Sequence, residues 1–220
     1  MEERTVAIVD DHTMMREGLA GLVNSLEGFC CCWSAGDATE AMSQLENECP
    51  KLLMVDMTLP GRNGLELTKD ALALHPSLPV LVVSMHDETL YAQRVLRAGA
   101  KGYIMKDAPT EQLIEAIQKT AAGGMWVSGA MSAKIIEAFS SQPGTEKVEG
   151  VHRLSDREFE IFQLIGEGKS KSAIAEGLNI SPKTVDVHKA HIREKLELED
   201  AAAVLRYAIR WVEMKNLPSE

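Results

Sequence analysis

Five short apolar runs, each followed by an amphipathic helical stretch, constrain the first half of this chain more than any other feature. The runs fall at 5–9, 29–34, 52–55, 79–84 and 102–105, and the helical stretches at about 13–26, 37–48, 64–74, 88–98 and 110–122. Met15, Leu19, Leu22 and Leu26 recur at helical spacing and keep one face of the first helix apolar. Strands that are nearly continuously apolar, alternating with helices, predict a parallel sheet covered on both faces. About 120 residues suit a doubly wound five-stranded sheet, because an eight-fold barrel needs about twice that length. The predicted fold class is therefore α/β for this half.

Polar residues end several of these runs, at the sheet edge where open α/β folds bind ligands. Asp10 and Asp11 close the first run, Asp56 closes Leu52-Leu53-Met54-Val55, Ser84 closes Val80-Leu81-Val82-Val83, and Lys106 closes Tyr103-Ile104-Met105. An unpaired carboxylate at the end of a buried strand is costly. If the strands are neighbours, three carboxylates and one ammonium converge on a metal-assisted phosphate site. A hard cation such as Mg²⁺ takes oxygen ligands from one or two carboxylates, waters and a phosphate. A carboxylate can also be the nucleophile, giving an acyl phosphate, with the metal and Lys106 neutralising the phosphoryl oxygens. His12 is read as a packing or loop residue, not a ligand.

The chain has 220 residues and a net charge of −10, which at first argues against nucleic acid. The acidity is uneven. Residues 1–141 hold 11 Lys and Arg against 19 Asp and Glu, whereas residues 151–220 hold 11 against 12. Lys169 to Lys195 holds six bases and three acids, with two histidines besides, so a basic segment survives there. No apolar run approaches the roughly 18 residues of a membrane span. Met-Glu-Glu-Arg-Thr lacks the plan of a signal peptide, so a cytoplasmic protein without membrane attachment is expected. Of four cysteines, Cys30, Cys31 and Cys32 lie in a strand-like run and are read as reduced thiols in core packing.

Residues 123–139 read as a helical tail, and the Pro-Gly-bearing stretch up to Gly150 as a linker. The expected division is thus 1–122, 123–150 and 151–220. The last part reads as all helical. Ser155-Asp156-Arg157-Glu158 is a capping box with Leu154 and Phe159 as its hydrophobic staple. A second helix spans about 171–177, Ser181-Pro182 starts a third running to Leu196, and a fourth runs from about Asp200 to Met214. Two short helices and a strongly capped third suggest a helix-turn-helix. On the third helix Val185, His188, Ile192 and Leu196 form the stripe expected to be buried. The other face carries Lys183, Val187, Ala190, His191 and Glu194, flanked by Asp186, Lys189 and Arg193. Small and hydrogen-bonding residues suit a major groove: Val187 and Ala190 for thymine methyls, Asp186 for a cytosine amino group, Lys183 for a base or phosphate. Lys169, Lys171, Lys189 and Arg193 are placed for phosphates.

Asp10-Asp11, Asp56-Met57-Thr58-Leu59-Pro60 with Gly64, Ser84 and Gly102-Tyr103-Ile104-Met105-Lys106 resemble the receiver domain of bacterial two-component response regulators, over about residues 4–122. The resemblance implies that Asp56 is the phosphoacceptor. It implies that Asp10, Asp11, Asp56 and the backbone carbonyl of Thr58 hold Mg²⁺ or Mn²⁺. Lys106 would pair with the phosphoryl group, Ser84 would be the hydroxyl that moves to it, and Tyr103 the aromatic switch. Residues 151–215, through Leu154 to Glu158, Gly168-Lys169-Ser170, Ile180-Ser181, Thr184-Val185 and His188, resemble the LuxR-type helix-turn-helix of the NarL/FixJ family. Lys171-Ser172-Ala173 stands where many members have Asn-Lys-Glu, and Asp186 where many have a base; these departures concern the target sequence. Together the resemblances imply a transcription regulator with a sensor histidine kinase and double-stranded DNA as partners. Lys169, Lys171, Lys183, Thr184, Asp186, Val187, Lys189, Ala190, His191 and Arg193 are the expected DNA contacts, and a homodimer the expected form when phosphorylated or DNA-bound. Apart from self-phosphorylation and self-dephosphorylation at Asp56, no enzyme activity is expected. Aspartate-nucleophile phosphatases place a general acid two residues after the nucleophile, where this chain has Thr58. A DNA binder that ignores phosphorylation is the other alternative.

Overall fold

A computed structural model describes residues 3–133 and 150–216. The chain divides into two compact units, Met1–Gln142 and Pro143–Glu220.

The first unit is built of β1 (Arg4–Val9), α1 (Thr13–Ser25), β2 (Phe29–Ala35), α2 (Ala38–Asn47), β3 (Leu52–Asp56), α3 (Gly64–Leu74), β4 (Val80–Ser84), α4 (Glu88–Arg97), β5 (Gly102–Met105) and α5 (Thr110–Ala121). All strand pairs are parallel, in the order β2-β1-β3-β4-β5. This is the doubly wound sheet the alternation predicts. Alternate strand residues Val6, Ile8, Leu52, Met54, Leu81 and Val83 share one buried cluster with Leu19 and Val23 of α1 and Ala116 and Ile117 of α5. Asp37 caps α2 by accepting from the N–H groups of Thr39 and Glu40, and Asn63 caps α3 by accepting from Glu66.

The order places the topological switch between β1 and β3, and there the register decides the chemistry. Val9 lies opposite Val55, Asp56 opposite Val83, and Ser84 opposite Met105. Asp10, Asp56, Ser84 and Lys106 therefore leave the sheet at one edge, outside the carboxyl ends of the strands.

Two sequence expectations are corrected. The cysteine triplet is only in part core: β2 is an edge strand, and Cys30, Cys31 and Cys32 are partly buried, with Cys31 packed against the core, while Cys49 is exposed. The pairing runs Val6 to Cys31, then Ala7 to Trp33, so Cys32 bulges from the ladder and strand alternation breaks within the triplet. All four thiols are free, and burial together with the charge of Glu48 pushes the Cys32 thiol up to about 11. The expected helical tail does not start at 123 either. Trp126 bridges to Gly102 beside β5 and is buried in the core, and helix begins only at 129. Residues 134–149, with most of the expected tail and linker, lie outside the described residues.

The second unit comprises a 3₁₀ turn (Gly150–Arg153), α6 (Asp156–Gly166), α7 (Lys171–Gly177), α8 (Pro182–Lys195) and α9 (Ala201–Asn216). Its starts follow the sequence. Ser155 and Glu158 form the reciprocal capping box, and Ser170 and Ser181 cap α7 and α8. Phe159, Ile161, Phe162, Ile165, Ile174, Val185, Ile192, Val204 and Ala208 make the core. Trp211 packs edge-on against Phe159 and Phe162, with ring centroids 5.4 and 5.7 Å away. A Cβ on Gly166 would lie 2.5 Å from the Ala208 carbonyl oxygen, so glycine is what allows α6 and α9 to approach so closely.

Candidate phosphate site and nucleic-acid interface

Asp10 and Asp56 are buried at the switch point, and Lys106 Nζ sits 2.7 Å from Oδ2 of each. The contact to Asp56 has hydrogen-bond geometry, and Asp10 Oδ2 is held at the same distance in an ion pair. The other oxygen of Asp56 accepts from Thr58 N–H at 3.2 Å, and Asp10 Oδ1 accepts from His12 N–H at 2.9 Å. Asp11 is more open and pairs with His12 Nδ1 at 2.7 Å. Burial raises the Asp56 carboxyl above the usual carboxylate range; Lys106 opposes that shift and Asp10 adds to it. Burial would lower the Lys106 ammonium, but hydrogen bonding and charge from Asp10 and Asp56 outweigh it, so Lys106 is raised. It therefore stays charged.

The donor set fits a hard divalent cation. Asp10, Asp11, His12 and Asp56 each offer one ligand atom, all within 4.8 Å of one another. The three carboxylates supply oxygens, and Asp10 Oδ2 is a buried acceptor without a hydrogen bond that such an ion could use.

Ser84 and Tyr103 are both wholly buried. Ser84 Oγ accepts from His86 N–H at 3.0 Å, and the Tyr103 hydroxyl donates to the His86 carbonyl at 2.7 Å. Tyr103 thus already points inward. His86 itself was not legible in the sequence. Its Nε2 lies 3.1 Å from Thr58 Oγ1 and its ring 4.8 Å from that of Tyr91, tying the loop after β4 to the loop after β3. As one polar residue in a loop, it carries no periodic signal.

In the second unit Val185 and Ile192 are buried, while Lys183, Asp186, Val187, Ala190, His191, Arg193 and Glu194 are exposed along α8. A groove of about 550 Å³ beside it is lined by Lys169, Lys171, Lys189 and Arg193 among others, gathering the four bases expected at phosphates. Three details differ from the helical reading. Asp186 forms an ion pair with Lys171 at 2.9 Å, and Thr184 bonds Ser181 at the helix start. His191 is not turned wholly to the far face: its Nδ1 lies 3.7 Å from the buried Glu158, because α6 packs against α8.

Glu158 also bonds Lys195 Nζ at 2.7 Å. Burial would raise its carboxyl, but Lys195 and the Ser155 cap outweigh that, and the net shift is downward. A depressed acid contributes stability above its unfolded value, about 4.3 for glutamate, and loses it as pH falls through the folded value. Urea unfolding of the second unit should weaken with acid below about pH 4.5, and Glu158→Gln should show a flatter decline.

Residues 6–118 match the response regulator receiver domain, and residues 152–208 match the bacterial regulatory proteins of the luxR family. The oxygen regulatory protein NreC of Staphylococcus carnosus is 34% identical over 209 residues, covering 93% of this chain and 96% of NreC. The chain belongs to the LuxR-type (NarL/FixJ) response regulators. The transcriptional regulatory protein DegU of Brevibacillus brevis is 32% identical over 225 residues, covering 96% of this chain and 95% of DegU. Among solved structures, RcsB from Salmonella enterica serovar Typhimurium, bound to promoter rprA in the presence of the phosphomimetic BeF3-, aligns with a TM-score of 0.65 at 25% identity, covering 94% of this chain and 99% of RcsB. Among the described residues no helix is long and apolar enough to cross a membrane.

Proposed function

We propose that this response regulator is a transcription regulator switched by phosphorylation at Asp56. The observation that carries the reading is the convergence of Asp10, Asp56 and Lys106 at the switch point of the sheet, in a chain that also holds a LuxR-type helix-turn-helix.

A sensor histidine kinase, or a small acyl phosphate, is the donor. An Asp56 carboxylate oxygen attacks phosphorus in line, the bond to the donor breaks, and the acyl phosphate forms on Asp56. Mg²⁺ (or Mn²⁺), held by Asp10, Asp11, Asp56 and the Thr58 carbonyl, would supply charge neutralisation at the phosphoryl oxygens. Lys106 lets go of the carboxylate pair and turns to the new oxygens. Ser84 moves to hydrogen-bond the phosphoryl group, and Tyr103, whose hydroxyl bonds the His86 carbonyl, is the aromatic switch. No general acid stands at Thr58, which sets the site apart from a phosphohydrolase; self-dephosphorylation is the only further chemistry.

The receiver runs past 122 to include Trp126, a tail and linker reach 150, and the DNA-binding part is 151–220, acting in the cytoplasm. The charge change at Asp56 biases a two-state element that frees the DNA-binding domain or pairs two protomers. Pairing gives two half-sites, since one short helix reads few bases. Lys183, Thr184, Asp186, Val187, Ala190 and His191 face the groove. Lys169, Lys171, Lys189 and Arg193 take phosphates. The Asp186–Lys171 pair must open, or be bridged, before Asp186 can meet a base.

DNA affinity compared with and without an acyl-phosphate donor and Mg²⁺ tests this function, and equal affinities would contradict it. Lys189→Ala should weaken binding to every sequence alike and reduce the salt dependence of log K by about 0.9 per lost phosphate contact. An unchanged slope in a salt titration would remove Lys189 from the interface.

A further inference from the structure

The receiver site offers oxygens to a hard ion; the second unit holds a donor set of another kind. Glu158, in the first turn of α6, and His188 and His191 of α8 each bring one ligand atom to within 4.8 Å of the others. The two oxygens of Glu158 are differently engaged. Oε2 accepts from Ser155 N–H and from Lys195 Nζ, both at 2.7 Å. Oε1 faces His191 Nδ1 at 3.7 Å. We propose that Glu158, His188 and His191 form a binding site for a borderline divalent cation of the zinc class.

The chemistry supports that class and excludes the receiver's. Two imidazoles and one carboxylate suit Zn²⁺, with a water completing four-coordination. Mg²⁺ prefers oxygens and gives up its waters reluctantly. Ligating carboxylates are commonly oriented by hydrogen bonds to the oxygen that does not bind the metal, and Ser155 and Lys195 do this for Glu158. Histidines three apart on one helix project side by side, so a single helix supplies both nitrogens. His191 is half exposed and opens the site to solvent, while Glu158 is only 4% exposed and fixes its floor. A bound ion would tie α6 to the helix proposed to read DNA and hold His191 back from the groove. That is an input to DNA binding separate from the charge on Asp56, and it stands whether or not Asp56 is the switch.

The test uses the full chain, reduced and saturated with Mg²⁺, titrated with Zn²⁺ by calorimetry, with X-ray absorption at the zinc edge. The free cysteines and the receiver cluster of Asp10, Asp11, His12 and Asp56 are the competing zinc ligands; sulfur scattering marks the cysteines, and the His191→Asn variant distinguishes the receiver cluster, whose zinc it would leave in place. The expected result is one zinc per chain in a nitrogen and oxygen shell with imidazole scattering. His191→Asn should bind zinc at least about 10-fold more weakly with helical content unchanged by circular dichroism. A sulfur-containing shell, or unchanged zinc affinity in His191→Asn, would overturn the site.

Discussion

Asp56→Asn should take up no acyl phosphate when the protein is incubated with a small acyl-phosphate donor and Mg²⁺, while the unaltered chain is labelled at one residue. Asparagine keeps the shape of the side chain and an oxygen for Thr58 N–H, so the fold is retained and the nucleophile alone is lost. The neighbouring acids do not stand in for it. Asp10 is buried against Lys106 and the His12 N–H, and Asp11 pairs with His12. Mass spectrometry of the variant after exposure to the donor checks this. A labelled Asp10 or Asp11 would mean that the acids are interchangeable and that the register at the sheet edge does not select the acceptor.

Gly64→Ala should destabilise the receiver by about 3 kcal/mol, the upper end of what overpacking costs. Gly64 opens α3 directly behind Asp56, and its N–H donates to the Met57 carbonyl at 2.9 Å. A Cβ there would lie 2.0 Å from the Asp56 carbonyl oxygen and 2.9 Å from the Met57 Cα. Those are backbone atoms of the strand end itself, so no side chain can swing aside. Relief requires shifting α3 away from β3 or displacing the Asp56 peptide. Urea unfolding followed by circular dichroism measures the loss, and phosphoryl uptake should fall with it because Asp56 moves. A cost below about 1 kcal/mol would show that the loop between β3 and α3 yields more readily than this packing implies.

Much of the phosphate site could be read from residue order. An acid or a lysine after an apolar run fixes both the strand end and the chemistry there, and the switch between β1 and β3 then brings Asp10, Asp56 and Lys106 together. Capping was equally legible at Ser155 and Ser181, because these side chains answer to the next three residues alone. What failed to show depends on tertiary neighbours. The cysteine triplet has the apolar character of a central strand, and nothing local reveals that β2 is an edge or that Cys32 bulges. His86 gains its place from Thr58, 28 residues earlier, and Tyr91. His191 was assigned to the open face by helical spacing, yet its ring reaches back to a glutamate on another helix. Trp211 packs edge-on against Phe159 and Phe162, ring partners that its helical stripe alone could not specify.

The central claim is that the state of Asp56 governs DNA binding through α8. The direct measurement is the affinity of the full chain for a DNA sequence selected from a random pool, taken with Mg²⁺ alone and with Mg²⁺ plus a beryllofluoride phosphoryl analogue, for the unaltered chain and for Asp56→Asn. The account predicts tighter binding with the analogue in the unaltered chain and no response in the variant. Equal affinity in both conditions for the unaltered chain would contradict it.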